Sequence, residues 1–208
     1  MITDSSIGKF LDDLASRYPT PGGGSAAAVM GAMGAALVSM VCNVTIGKKG
    51  YESVEDEMNR VRAESEPLRR RLMAMVAEDI AAFDGLMAAY KLPKASDDEN
   101  ALRRAAIQAG LHGATEVPLQ CARACAEVIA LARRASEHGY LGVISDGGVG
   151  VLAGYTAMRS AALNVYINAT ALTDRNFADA AVAELDALLQ SSALECEAVY
   201  ALVRKKLA

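Results

Sequence analysis

A chain of 208 residues can bury one sizeable core and is too short for two, so a single domain over residues 1–208 is expected. Hydrophobic residues make up 52% yet aromatics only 5%, with Trp absent; Ala, Leu, Val and Met carry the apolar count, which predicts an all-α fold and speaks against sheets. A formal net charge of −4 leaves no positive field to gather phosphates, which argues against a nucleic-acid or anionic-membrane partner.

The N-terminal stretch MITDSSIGKFLDDL has no basic segment followed by an apolar one, so a cytoplasmic protein is expected. A first helix should start near Asp4 and carry Ile7, Phe10, Leu11 and Leu14 on one face. It should stop at Tyr18-Pro19, because a residue before proline is pushed out of the α region. PTPGGGS follows at residues 19–25, with Ser25 suited to cap the next helix. From Ser25 to Ile46, 22 residues carry no charge, long enough to span a bilayer. Its many alanines, with Gly31, Gly34, Ser39, Asn43 and Thr45, make it only weakly hydrophobic, and aromatic belts do not flank both ends. It reads instead as a helix buried on all sides, inside a bundle or at a subunit interface.

A connection from Gly47 to Gly50 leads to residues 53–91, predicted as one long helix kinked at Pro67 or as two. A polar break at Pro93 to Asp98 precedes a helical stretch from about Asp98 to His138, where Pro118 marks a second kink or break. SDGG at 145–148 opens another charge-poor helix that runs to about Leu172. Thr173-Asp174 then caps a final amphipathic helix carrying Phe177, Val182, Leu185, Leu188, Leu189 and Leu194. The sum is a helical bundle of five to seven helices built around the two charge-poor ones.

Those two helices share a pattern. Ser25, Ala28, Ala32, Ala35, Ser39 and Asn43 fall on one side of the first, and Met33, Leu37, Met40 and Val44 on another. Gly150, Gly154, Ala157, Ala161, Asn164 and Asn168 line up on the second. Small faces let two backbones approach closely, which accounts for the glycines and alanines. It does not account for Asn43, Asn164 and Asn168, since a buried amide needs partners.

Asp79 is the most informative residue. Leu68, Leu72, Met75, Phe83, Leu86 and Tyr90 all project within about 40° of it, so an acid stands in an apolar stripe. It is either a core aspartate satisfied by a neighbouring helix or a group kept for chemistry. Asp146, in Ser145-Asp146-Gly147-Gly148, reads first as a helix cap, with a functional acid as the second reading. Gly22, Gly23, Gly24 and Ser25 make a turn that could also form a nest of N–H groups, although no Gly-Lys-Ser/Thr of a phosphate loop follows. Lys48 and Lys49 suit a helix C-terminus, and Arg69-Arg70-Arg71 a solvated face. Cys42, Cys121, Cys125 and Cys196 show neither disulfide nor zinc spacing and read as buried free thiols, so no metal is expected.

Taken in order, PTPGGGSAAAVMGAMGAALVSMV, Gly47-Lys48-Lys49 with Tyr51, the Asp79–Phe83 helix, and SDGGVG with Asn164 and Asn168 resemble the cyclodeaminase/cyclohydrolase family of folate enzymes along nearly the whole chain. The resemblance implies an all-helical homodimer with a folate-binding groove. For a chain of this length it implies a methenyltetrahydrofolate cyclohydrolase that converts 5,10-methenyltetrahydrofolate to 10-formyltetrahydrofolate without a cofactor. Asp79 and Asp146 would be its catalytic acids. Gly22, Gly23, Gly24, Ser25, Asn43, Lys48, Ser145, Asn164 and Asn168 would hold the substrate. The alternatives are a formiminotetrahydrofolate cyclodeaminase, an ammonia-lyase whose transferase domain would lie on another chain, and a non-catalytic helical interaction module.

Overall fold

The computed structural model describes residues 5–208 and contains, among them, six α-helices and no strand. These are α1 (Ile7–Leu14), α2 (Gly23–Thr45), α3 (Glu55–Tyr90), α4 (Asp97–His138), α5 (Ile144–Ala171) and α6 (Arg175–Leu207), with single 3-10 turns at Glu52–Val54 and Leu141–Val143. The all-α expectation holds. Asp4 lies outside the described residues; α1 begins at Ile7 behind a Ser6 cap and ends at Leu14, short of Tyr18. Of its apolar face, Phe10 packs on the core, whereas Ile7 and Leu11 are exposed.

Neither proline breaks its helix. Pro67 frees the carbonyl four residues back at Ala63, which is exposed and can be hydrated. Pro118 frees the carbonyl of Ala114, and there the Asn168 side-chain amide of α5 donates to it at 2.7 Å. A defect in one helix is thereby closed by a side chain of another, and α3 and α4 each run unbroken.

The charge-poor pair α2 and α5 stands at the centre of the bundle, packed by α3, α4 and α6. It runs antiparallel: Gly23 lies near Asn164, Gly34 meets Gly150 and Gly154, and beyond the other end Thr45 Oγ1 accepts from Tyr140 N at 2.9 Å. A Cβ added at Gly34 would sit 3.0 Å from the Gly150 carbonyl oxygen, so the two backbones touch as the small-residue pattern predicted. Ser25, Ala28, Ala32, Ala35 and Ser39 are buried, but Asn43 is not. Burial on all sides is corrected: Met33 is 58% exposed, and Val44 is exposed about three turns further along the same side. By length and composition, Gly23–Thr45 and Leu141–Ala171 could each cross a membrane, with 61% and 44% of their apolar windows buried within the protein. In α6 the expected face holds except for Leu194, which points to solvent.

Candidate active site

A groove of about 390 Å³ opens between α3, α4 and α5. Its α3 wall is Asp79, Ala82, Phe83, Leu86, Met87 and Tyr90; α4 supplies Leu111, Ala114, Val117 and Pro118; α5 supplies Asn164, Ile167, Asn168 and Ala171. The volume suits a bicyclic heteroaromatic with a ring attached, and the apolar walls with a few polar groups are what such a ligand requires. Asp79 is the single carboxylate among these lining residues.

Asp79 docks on the N-terminus of α2. The Ser25 hydroxyl donates to Asp79 Oδ2 at 2.7 Å, and the Ser25 backbone N–H donates to the same carboxylate. A helix N-terminus leaves N–H groups without intrahelical partners and favours negative charge, so the acid is held rather than stranded. Gly24 makes this approach possible, because a Cβ there would lie 2.0 Å from Asp79 Oδ1. Gly24 is therefore explained by close approach, and Ser25 is corrected from a cap to a contact: the N-cap is Gly22, and Ser25 is the third helical residue. The Ser25 donors of the nest anticipated at PGGGS are used by the chain's own carboxylate.

Burial pushes the Asp79 carboxyl above the ordinary carboxylate range, and the two Ser25 hydrogen bonds oppose that rise. If ionised Asp79 is the working base, activity climbs with pH through this raised pKa. Ser25→Ala removes a stabiliser of the anion, so the acid limb of the kcat/KM profile should move to still higher pH. An unmoved limb would mean that Asp79 does not titrate in the reaction.

Asn164 and Asn168 join Asp79 in the groove. Asn164 donates to Ser160 O at 3.3 Å and lies against Gly23, while Asn168 holds the Ala114 carbonyl. Sequence reasoning missed the α4 wall, although Pro118, with the carbonyl it frees, marked the place. The remaining expected residues lie elsewhere. Asn43 is exposed near the C-terminal end of α2 and accepts from Arg62 Nη1 at 3.2 Å. Lys48 places its Nζ 4.0 Å from the centroid of Tyr140, whose ring meets Tyr51 edge-on. Ser145 and Asp146 are not caps; they lie within the first turn of α5, behind Val143. Asp146 is about 27 Å along α5 from Asn164, so one chain does not bring the two aspartates together.

The four cysteines are free and buried. Among the described residues no three His, Cys, Asp or Glu side chains are grouped as a metal would need.

The family model for formiminotransferase-cyclodeaminase matches residues 6–187. The chain belongs to that family. It is 55% identical over 206 residues, 99% of both chains, to the methenyltetrahydrofolate cyclohydrolase of Methylorubrum extorquens. It is 32% identical over 191 residues to the rat formimidoyltransferase-cyclodeaminase, matching 92% of this chain but 35% of that protein. Among solved structures, the formiminotetrahydrofolate cyclodeaminase of Thermotoga maritima superposes with a TM-score of 0.83 at 32% identity, over 100% of this chain and 98% of the other. Family members with these two activity names thus share one fold, and the difference between them must lie in local chemistry.

Proposed function

We propose that the chain is a methenyltetrahydrofolate cyclohydrolase: an enzyme of one-carbon metabolism that hydrolyses 5,10-methenyltetrahydrofolate to 10-formyltetrahydrofolate. The observation that carries this reading is 55% identity along the full length of a protein of that name, against 32% to the rat and Thermotoga cyclodeaminases. The groove agrees with it, because a flat, mostly apolar ligand carrying a delocalised positive charge meets apolar walls and one carboxylate.

The substrate's methenyl carbon bridges N5 and N10 as an amidinium. A water held by Asp79 adds to this carbon, forming the C–O bond while its proton passes to the carboxylate; the product is a neutral carbinolamine. The C–N5 bond then breaks, N5 takes up a proton, and the carbinol O–H proton is released as the formyl C=O forms on N10. The net change is addition of one water and release of one proton, with no change of oxidation state. Asp79, raised by burial toward working pH, is suited to accept the first proton and return it to N5. Asn164 and Asn168 offer amide groups beside it to orient the pterin or the attacking oxygen.

The cyclodeaminase reaction passes through a tetrahedral centre at the same carbon, with ammonia leaving instead of water entering. Assayed side by side on one preparation, methenyl hydrolysis should be efficient and ammonia release from 5-formiminotetrahydrofolate slow or absent. Formimino turnover as fast as hydrolysis would reverse the assignment. Hydrolysis by this route calls for no metal or redox cofactor, so prolonged chelation and desalting should leave the rate unchanged; loss restored by one divalent ion would refute that. The working form proposed is a cytoplasmic homodimer, without nucleic-acid or membrane partners.

A further inference from the structure

The groove holds two side-chain amides one turn apart on α5, and both are turned the same way. Asn164 gives its Nδ2 to the Ser160 carbonyl at 3.3 Å, and Asn168 gives its Nδ2 to the Ala114 carbonyl at 2.7 Å. A carbonyl only accepts, so in each case the NH2 end must face it and the Oδ1 end must face away. Among the described residues neither Oδ1 accepts a hydrogen bond, and neither is sealed from solvent. Together with the Asp79 carboxylate, they make this part of the groove rich in acceptors.

The two amides are not held equally. The Ser160 carbonyl lies four residues back on the same helix, where the α5 ladder already supplies it with an N–H. The Ala114 carbonyl has no such partner, because Pro118 brings no N–H to it. Ala114 and Pro118 both line the groove, and the donor that replaces the missing one comes from across it, on α5. The contrast with Pro67 is plain: the carbonyl freed there, at Ala63, is exposed and left to water.

We propose that Pro118 is a positioning residue for the substrate: by withholding an N–H from Ala114, it makes that carbonyl hold the Asn168 amide with Oδ1 aimed into the groove, as a fixed acceptor for the N–H edge of the pterin. The proposal rests on the cyclohydrolase reading and deepens it. A tetrahydropterin carries donors at its 2-amino group, N3 and N8. An unanchored amide would present its donor and acceptor ends alternately. Anchoring removes the wrong orientation before the substrate arrives, so ordering this side chain no longer opposes binding.

Asn168→Ala, Pro118→Ala and the double variant test this in the full chain, by kinetics with 5,10-methenyltetrahydrofolate and by thermal melting. Asn168→Ala should raise KM about two- to tenfold, the worth of one hydrogen bond, and by more than it lowers kcat. It should also melt lower, since the Ala114 carbonyl is left without a donor. Pro118→Ala restores the helical N–H with the best helix former, so it should melt no lower than the wild type. Its KM should nevertheless rise by a similar factor. The double variant should recover the melting temperature lost in Asn168→Ala and keep the raised KM. A merely structural tie between α4 and α5 would not separate stability from binding in this way. Wild-type KM in either single variant would overturn the proposal, as would a double variant whose KM returns with its melting temperature. So would KM increases that multiply in the double variant, because residues acting through one another do not add independently. A Pro118→Ala chain that melts well below the wild type would also overturn it, since the proline would then serve packing. Absence of methenyl hydrolysis in the wild-type protein would instead remove the cyclohydrolase reading beneath it.

Discussion

Asp79→Asn should lower kcat for methenyl hydrolysis by about a hundredfold or more, because general acid–base groups contribute roughly 10²–10⁴-fold and asparagine cannot exchange a proton near neutral pH. The fold should survive. The asparagine carbonyl can still accept from the Ser25 hydroxyl and backbone N–H, which are the contacts that hold the acid to α2. The sign of the stability effect follows from the direction of the pKa. A carboxyl whose folded-state pKa is raised binds its proton more tightly in the native state. Its ionisation therefore costs stability as pH rises through that range, and asparagine removes the cost. At pH 7 the variant should melt no lower than the wild type. A substantially lower melting temperature with an unchanged rate would make Asp79 a structural acid that ties α3 to α2.

Gly24→Ala should have the second large effect, and on rate rather than stability. The new Cβ would stand 2.0 Å from Asp79 Oδ1 and 2.6 Å from its Cγ, far inside contact distance. The obstructed atoms are the end of a side chain, so the carboxylate can swing aside and the helices need not part. Displacing a reacting group by about 1 Å can cost on the order of a hundredfold, so kcat should fall by at least about tenfold. Denaturant midpoints should change little. A protein that loses its cooperative unfolding transition would show instead that the close approach of α2 to Asp79 is needed by the fold. Gly31 offers a contrast: its neighbours are Cys125 and Leu72, both core groups, so substitution there should disturb packing rather than chemistry.

Much of the architecture was legible in the sequence because a helix imposes its own period. The two charge-poor helices, their small-residue faces and the apolar stripe around Asp79 all follow from which residues share a side at 100° per residue. The capping of α6 by Asp174 is equally local, and its side chain accepts from Phe177 N as expected. Exposure was less legible. Met33 was expected to be buried with the rest of its helix, and only the positions of α3, α4 and α6 decide that none of the described helices covers it, or Leu163 and Ile167 on α5.

The sequence by itself determined the fold class, the family resemblance and the choice of Asp79, since each depends on composition or on residues close together along the chain. It could not determine which candidates meet. Periodicity fixes the direction in which a side chain leaves its own helix, but the register of one helix against another is set by where the small residues let the backbones touch. Here the contact of Gly34 with Gly150 and Gly154 makes α2 and α5 antiparallel partners in one particular register. That register puts Asn164 beside Gly23, near the Asp79 groove, and carries Asp146 and Lys48 to the far end. Likewise, Asn168 was visible as an amide in need of a partner, but its partner is a carbonyl released by Pro118 on another helix, 2.7 Å away across the bundle.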